Sequence, residues 1–229
     1  MKKIVILGGP GDGVVIAASL AFQNNNSDTH WELVGFLNDA IEKGSFINGV
    51  AVLGKLEDWR TLPDDTYFIS ALHKVRQMKV RASRVQSLGI PLQRWGSVID
   101  STARVSKNCL TGVGSYLGPN VIVQPGAKIG NHVSIRGGAN IGHDVVIEDY
   151  CYIGPNSTLC GRSSMLKASH LGPNSCLADG VRLGLHSVVG IGSAVTKHVP
   201  DNHIVFGVPA SRILAPLGDF NRKLTANKK

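Results

Sequence analysis

Residues 141–158 read IGHDVVIEDYCYIGPNST, which is three hexads that each begin with isoleucine and carry a small residue at the fifth position. The same period runs from Ile99 to Pro200 as seventeen hexads without an insertion, and only Thr111 interrupts the aliphatic first position. Positions five and one of successive hexads are two residues apart, so they face the same way along a short extended segment. Position four holds Gly, Asn, Asp or His in thirteen of the seventeen hexads, and these residue types tolerate a positive φ. We therefore predict a chain corner every six residues.

A period of this kind is typical of an all-β parallel β-helix, in which neighbouring coils bury each other's apolar faces. At these residues the chain resembles the hexapeptide-repeat acyltransferases, whose coils are left-handed and triangular with three hexads per turn. The handedness is implied by the resemblance and not by the period. In that geometry residues eighteen apart stack in one column, roughly 4.8 Å from each other.

The N-terminal half predicts an α/β domain with a small, parallel, Rossmann-like sheet. A strand over residues 3–7 runs into the loop Gly8-Gly9-Pro10-Gly11-Asp12-Gly13, and a helical pattern follows. Strand, glycine loop and helix together present backbone N–H groups to a phosphate, although a tight turn needs glycine equally. A second strand over residues 31–37 ends near Asp39, where an acid could bind the ribose or base of a nucleotide.

The chain is therefore predicted to have three segments. Residues 1–92 form a nucleotide-sugar-binding α/β domain, and residues 93–213 form a left-handed β-helix with acyltransferase function. Residues 214–229 are a basic C-terminal extension to which the sequence assigns no role.

Composition excludes several classes of protein. The 229-residue chain has a formal net charge of +8, but its Lys and Arg residues are scattered and aromatic residues make up only 6%. This pattern argues against nucleic-acid binding and fits an attraction for phosphorylated small molecules. No apolar run reaches the roughly 18 residues of a membrane span, so we expect a cytoplasmic protein. The four cysteines form no CxxC motif, and we expect free thiols.

Further motifs narrow the resemblance to the sugar O- and N-acyltransferases of bacterial surface-glycan synthesis, which include sialic-acid O-acetyltransferases and nucleotide-aminosugar N-acetyltransferases. It covers roughly residues 3–213. The matching motifs are the loop 8–13, Gly35-Phe36-Leu37-Asn38-Asp39, Ile141-Gly142-His143-Asp144, Cys160-Gly161 and Gly207-Val208-Pro209-Ala210.

The resemblance implies that the first domain binds the nucleotide of a nucleotide-linked aminosugar and that acetyl-CoA is the cosubstrate. It also implies a homotrimer with acyl-CoA sites between adjacent β-helices. Two positions depart from the family pattern. Asp12 stands where the family loop commonly carries His, and Tyr152 stands nine residues after His143, where many members carry a second His.

Acetyl transfer from a thioester to an amine needs a base for the amine proton and a donor for the oxyanion. His143 is the candidate base, since an imidazole titrates near neutral pH, and Asp144 could orient its ring. Gly161 lies eighteen residues further on, and the resemblance assigns the amide of such a glycine to the thioester carbonyl. The predicted site residues are His143 and Asp144 for catalysis; Tyr152, Gly161, His170 and Ile191 for acyl-CoA; and Gly8, Gly11, Asp12, Gly13 and Asp39 for the nucleotide sugar.

A zinc site is an alternative, because the hexapeptide fold that this chain resembles also hosts zinc-dependent carbonic anhydrases. Zinc catalysis needs three convergent ligands, and only His198 and His203 have the five-residue spacing of that family. We therefore expect no metal. The predicted activity is N-acetylation of a nucleotide-linked amino-deoxysugar by direct attack. O-acetylation of a sialic-acid-like sugar remains open, as does a catalytically silent nucleotide-sugar-binding protein.

Overall fold

A computed structural model describes residues 1–22 and 30–214 of the chain. The extension predicted for 214–229 lies outside the described residues, apart from residue 214. The first elements are β1 (Lys2–Leu7), α1 (Asp12–Ala21), β2 (Trp31–Leu37), β3 (Phe46–Ile47), β4 (Val50–Gly54), a 3₁₀ helix (Leu56–Thr61), β5 (Tyr67–Ser70), α2 (Met78–Ser87) and a 3₁₀ helix (Leu92–Arg94). They build one sheet in the order β3-β4-β2-β1-β5, in which only β3 runs antiparallel to its neighbour. The predicted α/β region with its mostly parallel sheet is confirmed.

Short strands joined by turns form the remainder of the described chain, and all of them have two residues except the last two. They are β6 (Val98–Ile99), β7 (Arg104–Val105), β8 (Leu110–Thr111), β9 (Tyr116–Leu117), β10 (Ile122–Val123), β11 (Lys128–Ile129), β12 (Ser134–Ile135), β13 (Asn140–Ile141), β14 (Val146–Ile147), β15 (Tyr152–Ile153), β16 (Thr158–Leu159), β17 (Ser164–Met165), β18 (His170–Leu171), β19 (Cys176–Leu177), β20 (Arg182–Leu183), β21 (Val188–Val189), β22 (Ala194–Val195), β23 (Ile204–Gly207) and β24 (Ala210–Leu214). Successive strands alternate among three sheets, as the sides of a triangular prism require. Sheet I has the order β22-β19-β16-β13-β10-β7, sheet II the order β20-β17-β14-β11-β8, and sheet III the order β24-β23-β21-β18-β15-β12-β9-β6.

The register confirms the β-helix that the hexads predicted. Parallel partners are eighteen residues apart, as in the pairing of Ser134 with Tyr152 and of Tyr152 with His170. The first-position side chains from Leu117 to Val195 are all buried and form one aliphatic core. Position four has a positive φ in every hexad from Gly114 to Gly192, so the corners lie where the sequence predicted them.

The last coil differs from the sequence period. Leu183 pairs with Val199, which is sixteen residues away instead of eighteen. Val199 is 3% exposed and lies next to the aliphatic column, where strict periodicity would have put Asp201. Burying an unpaired carboxylate there would be costly, and the shorter coil avoids it.

The N-terminal domain covers the outward face of sheet III. Tyr116 of β9 is 1% exposed, and its hydroxyl lies 2.8 Å from Oγ of Ser19 in α1. Trp31 donates a hydrogen bond of 3.1 Å from Nε1 to the carbonyl of Ser97. Met78 of α2 packs on Ala168 at a corner of the β-helix. None of the helices in 1–22 and 30–214 is long and apolar enough to cross a bilayer.

A buried histidine belongs to the same domain contact. The ring of His132 stacks on Tyr150 at 4.8 Å between centroids and meets Trp95 edge-on at 4.4 Å. Burial lowers the pKa of His132 from 6.5 to about 4, so the imidazole is neutral in the folded protein at pH 7.

We predict that acid weakens the fold through His132. Below pH 6.5 His132 binds a proton in the unfolded chain, whereas in the folded protein it stays neutral down to about pH 4. The contribution of His132 to the free energy of unfolding is therefore full above pH 6.5 and falls between pH 6.5 and pH 4. The loss attributable to His132 should reach about 3 kcal/mol. Denaturant unfolding of the protein and of His132→Leu between pH 7 and 4.5 measures it. Parallel pH curves for the two proteins would contradict the prediction.

Candidate functional site

A cleft of about 740 Å³ lies between the N-terminal domain and sheet III. Its apolar wall comes from the late coils and includes Val188, Ile191 and Phe206. Its polar wall comes from the loops that follow β1 and β5, and it includes Asp12 and Lys74. An elongated ligand with both an anionic part and an apolar or amide part would fit these two walls.

Asp12 links the glycine loop to the β-helix across the base of this cleft. Its Oδ1 lies 3.2 Å from Nη2 of Arg136, a side chain that is only 6% exposed. Its Oδ2 lies 3.4 Å from Nδ1 of His73. Burial alone would raise the pKa of the Asp12 carboxyl, but His73 and the charge of Arg136 outweigh burial and hold that pKa below its usual value. Asp12 is therefore an anion that neutralises a buried arginine.

Two predicted acyl-CoA residues stack in the cleft as their eighteen-residue spacing implied. The rings of Tyr152 and His170 are 4.7 Å apart between centroids and nearly parallel, at 2°. His170 is 3% exposed, and its Nδ1 has no hydrogen-bond partner among the described residues. Burial lowers the pKa of His170 to about 4. His170 therefore lines the cleft as a neutral imidazole whose Nδ1 forms no hydrogen bond with the described residues.

A second cavity, of about 300 Å³, lies at the ends of β1, β2 and β5. Gly8 and Asp39 line it together with Arg81. The Asp39 carboxylate is already engaged, because Oδ1 accepts a hydrogen bond of 2.9 Å from the Leu56 N–H and Oδ2 lies 3.3 Å from Arg84. This cavity therefore contains one engaged carboxylate and two arginines.

The other two predicted site glycines of the loop, Gly11 and Gly13, have different surroundings. Gly11 lines the large cleft with φ at 90°, and a Cβ added there would meet nothing within 4 Å. Gly13 is the second residue of α1, and a Cβ there would come within 3.1 Å of the Phe36 ring. Gly11 thus leaves the cleft open, whereas Gly13 allows α1 to pack closely on the sheet.

His143, Asp144 and Gly161 form a separate cluster at the corner between sheets I and II. Nδ1 of His143 lies 2.9 Å from Oδ2 of Asp144, so Nε2 is the nitrogen left for proton transfer. Nε2 lies directly over Gly161, where even a methyl group would overlap it. The Gly161 N–H donates no hydrogen bond within residues 1–22 and 30–214. A candidate base and an amide donor with no partner in the described chain are therefore adjacent. The side chains of His143 and Asp144 are each about half exposed.

This cluster and the cleft lie on different sides of the prism. Neither His143 nor Gly161 lines the large cleft or the second cavity. His143 precedes Tyr152 by nine residues, which is half of an eighteen-residue coil. In one chain, the cleft on sheet III therefore lies across the β-helix core from the histidine corner.

No cluster of three or more His, Cys, Asp or Glu side chains that could hold a metal ion occurs in the part of the chain that the structure describes. His198 accepts a hydrogen bond of 3.0 Å from the Arg182 N–H through Nδ1. His203 contacts the Asp201 carbonyl at 2.7 Å through Nδ1.

Comparison with known proteins confirms the predicted resemblance. Residues 126–161 match the family model described as bacterial transferase hexapeptide, six repeats. A galactoside O-acetyltransferase of Lactococcus lactis subsp. lactis is 51% identical over 39 residues, which are 17% of this chain and 19% of the relative. A dTDP-3-amino-3,6-dideoxy-alpha-D-galactopyranose 3-N-acetyltransferase of Aneurinibacillus thermoaerophilus is 38% identical over 50 residues, or 22% and 26% of the two chains. The chain thus spans about a fifth to a quarter of the curated relatives it matches.

Solved structures resemble the chain over nearly its whole length. A mutant perosamine N-acetyltransferase of Caulobacter crescentus, in complex with CoA and GDP-perosamine, superposes with a TM-score of 0.79 at 24% identity and covers 93% of this chain and 97% of its own. The acetyltransferase domain of PglB from Neisseria gonorrhoeae, in complex with acetyl coenzyme A, gives 0.77 at 25% identity, covering 92% and 98%. These likenesses confirm the fold of an α/β region followed by a left-handed β-helix.

Two residues of the cleft cluster were missed from the sequence. No motif in the sequence singles out His73, and Arg136 counts among the many scattered basic residues. The sequence did contain an indication for Arg136. It lies eighteen residues from both Gly118 and Gly154, at the second position of its hexad, and is an arginine where those two coils have glycine.

We predict that Asp12→Asn destabilises the protein because it leaves the Arg136 charge buried without a counter-ion. The free energy of unfolding should fall by about 2 to 3 kcal/mol. Asp144→Asn is the matched control, since its pair with His143 is exposed and should change stability by less than about 0.5 kcal/mol. Denaturant unfolding at pH 7 measures both. Equal stability of the two variants would contradict a structural role for Asp12.

Proposed function

We propose that the chain is a cytoplasmic, acetyl-CoA-dependent sugar N-acetyltransferase of the hexapeptide-repeat type, to which its repeat and its fold are similar. The acceptor is the amine of a nucleotide-linked amino-deoxysugar used in bacterial surface-glycan synthesis. The observation that carries the proposal is the His143 corner, where a base nitrogen and an unused Gly161 amide lie side by side. Two similar proteins support the substrate class, since one is bound to CoA and GDP-perosamine and the other is a dTDP-aminosugar N-acetyltransferase.

The proposed reaction is direct attack in a ternary complex. Asp144 holds Nδ1–H of His143, so that the Nε2 lone pair accepts the proton of the attacking amine. The Gly161 N–H donates to the thioester oxygen as negative charge develops on it. The C–N bond forms as the C–S bond breaks, and CoA leaves as the thiolate, which takes up a proton. Holding both substrates at one corner supplies the proximity that the reaction needs.

We assign the two cavities to parts of the substrates. The second cavity, with Gly8, Asp39 and two arginines, would hold the nucleotide of the acceptor. The large cleft, with Gly11, Tyr152, His170 and Ile191, would hold the sugar and the pantetheine arm of the donor.

A complete site then needs more than one copy of the chain. The cleft and His143 lie across the β-helix core from each other, so one ligand can reach both only if neighbouring copies contribute them. We propose a homotrimer, in which each cleft faces the His143 corner of the next copy.

Release of CoA thiol from acetyl-CoA tests the activity and separates the candidate functions. The acceptors are UDP-, GDP- and dTDP-linked aminosugars and free sialic acids, and the product is checked by its mass and its amide signal. Turnover of an aminosugar is expected. Turnover of sialic acid alone would favour the O-acetyltransferase alternative. The match to a galactoside O-acetyltransferase supports testing that alternative. No turnover with any acceptor, together with nucleotide-sugar binding, would favour the silent binding protein.

We predict that His143→Ala lowers turnover at pH 7 by roughly 10²- to 10⁴-fold, the usual contribution of a general base. The loss should shrink as pH rises, because the amine then loses its proton more easily. Asp144→Asn should cost less, since it only orients the ring. Acetyl-CoA affinity and unfolding serve as controls, and a half-exposed corner side chain should leave both unchanged. Near-full turnover of His143→Ala would rule out His143 as the base.

Mixed trimers test the shared site. We expect His143→Ala and Gly11→Leu each to be inactive alone. Co-expression of the two variants should restore about one quarter of wild-type activity, because random assembly pairs an intact cleft with an intact His143 in about one quarter of the sites. Gly44→Leu is the control for Gly11→Leu, since Gly44 has a similar φ of 88° and open space but lines neither cavity. No recovery, or a fully active monomer in sedimentation, would contradict the shared site.

A further inference from the structure

The large cleft and the second cavity meet at three residues. Pro10, Ala71 and His73 line both. Pro10 has no N–H, and Ala71 offers only a methyl group beside its backbone. His73 is therefore the one side chain at this junction that can form a hydrogen bond or carry a charge. A ligand that occupies both cavities must pass it.

The orientation of His73 is fixed by Asp12. The imidazole is 8% exposed, and its Nδ1 faces Oδ2 of Asp12 at 3.4 Å, while Oδ1 of Asp12 faces Arg136. Nδ1 is buried and forms no close hydrogen bond at this distance. The ring lines both cavities, and with Nδ1 turned toward Asp12, Nε2 is the nitrogen left for a ligand there. Nδ1 can donate to the carboxylate, which leaves Nε2 to carry a second proton and bind an anion.

The surroundings at the junction favour negative charge in the ligand. Asp12 and Arg136 neutralise each other. Lys74 lines the cleft on one side of His73, and Arg81 lines the second cavity on the other. The N–H groups of Gly9 and Gly11 donate no backbone hydrogen bond among residues 1–22 and 30–214. Amides and cations from three segments therefore surround the junction, as in other phosphate sites.

We propose that His73 binds the diphosphate of a nucleotide-linked sugar as an imidazolium, taking up a proton through Nε2 when the ligand binds. This rests on the proposed function only for the class of ligand, a nucleoside diphosphate joined to a sugar. Asp12 is the positioning residue that holds Nδ1 and stabilises the charged ring. His73 thus joins the nucleotide cavity to the cleft where the sugar lies.

Other titratable groups near His73 must be separated from it. Among the described residues, the titratable and charged groups that contact it, pair with Asp12 or line a cavity with it are Asp12, Asp39, Lys74, Arg76, Arg81, Arg84, His132, Arg136, Tyr150, Tyr152 and His170. Burial lowers the pKa of both His132 and His170 to about 4, and burial raises the pKa of Tyr152. Among these groups His73 is the one imidazole that lines both cavities.

Calorimetry with GDP-mannose, UDP-N-acetylglucosamine and dTDP-glucose tests the proposal, because these sugar-linked diphosphates do not themselves titrate between pH 6 and 8. For the probe that binds best, affinity should be about tenfold higher at pH 6 than at pH 8, as expected for a charge-assisted hydrogen bond. Binding at pH 7 in buffers of different ionisation enthalpy should show proton uptake. The corresponding nucleoside should show neither effect.

His73→Gln should bind the probe at pH 6 about tenfold more weakly and lose both the pH dependence and the proton uptake. His203→Gln is the matched control, since His203 lines neither cavity, and it should behave as the unmodified protein. Proton uptake by the unmodified protein keeps the test valid even if His73→Gln unfolds.

The inference is overturned if no probe binds, if binding takes up no proton, or if His73→Gln weakens nucleoside binding as much as sugar-nucleotide binding. It stands if proton-linked, His73-dependent binding is found without acetyl transfer. In that case only the proposed chemistry fails.

Discussion

Hydrogen bonding between residues eighteen apart is the constraint on which the rest of the structure depends. Each strand of the β-helix has two residues, so a coil gains its stability from the coils above and below it. From Gly114 to Gly192 this register keeps the sides of the prism equal in length, and the corner residue of every hexad there adopts a positive φ. The same register stacks the functional side chains, which is why His143 lies against Gly161 and Tyr152 against His170.

Whatever follows this register could be predicted from the sequence. The aliphatic column, the corners and both stacked pairs are consequences of spacing alone. In the aliphatic column the eighteen-residue period failed from Val199 onward, where burial of an apolar side chain outweighed strict repetition and shortened the coil. Position four also contains Tyr150, Arg162 and Ala168, which residue preference would not have chosen, because the register imposes the φ whatever residue is present.

Contacts between distant segments could not be predicted in this way. Asp12 lies at the end of the glycine loop, His73 in the loop after β5 and Arg136 directly after β12. No periodic pattern relates these three residues, although they are in contact. The carboxylate of Asp39 was expected to face a nucleotide, yet it also fixes the Leu56 N–H and contacts Arg84. Sequence indicates which side chains can do chemistry, whereas the docking of the N-terminal domain on sheet III decides which of them meet.

The corners at Tyr150 and Ala168 have a wider consequence. A left-handed conformation costs such residues about 1 kcal/mol each, which Gly or Asn would largely avoid. Their side chains make contacts that Gly could not, since Tyr150 stacks on His132 beneath Trp95 and Ala168 packs beneath Met78 of α2. The β-helix therefore has backbone strain at two corners whose side chains pack against the N-terminal region. The two domains are in this sense adapted to each other, and a β-helix cut away from its partner would keep the strain and lose the contacts that compensate for it.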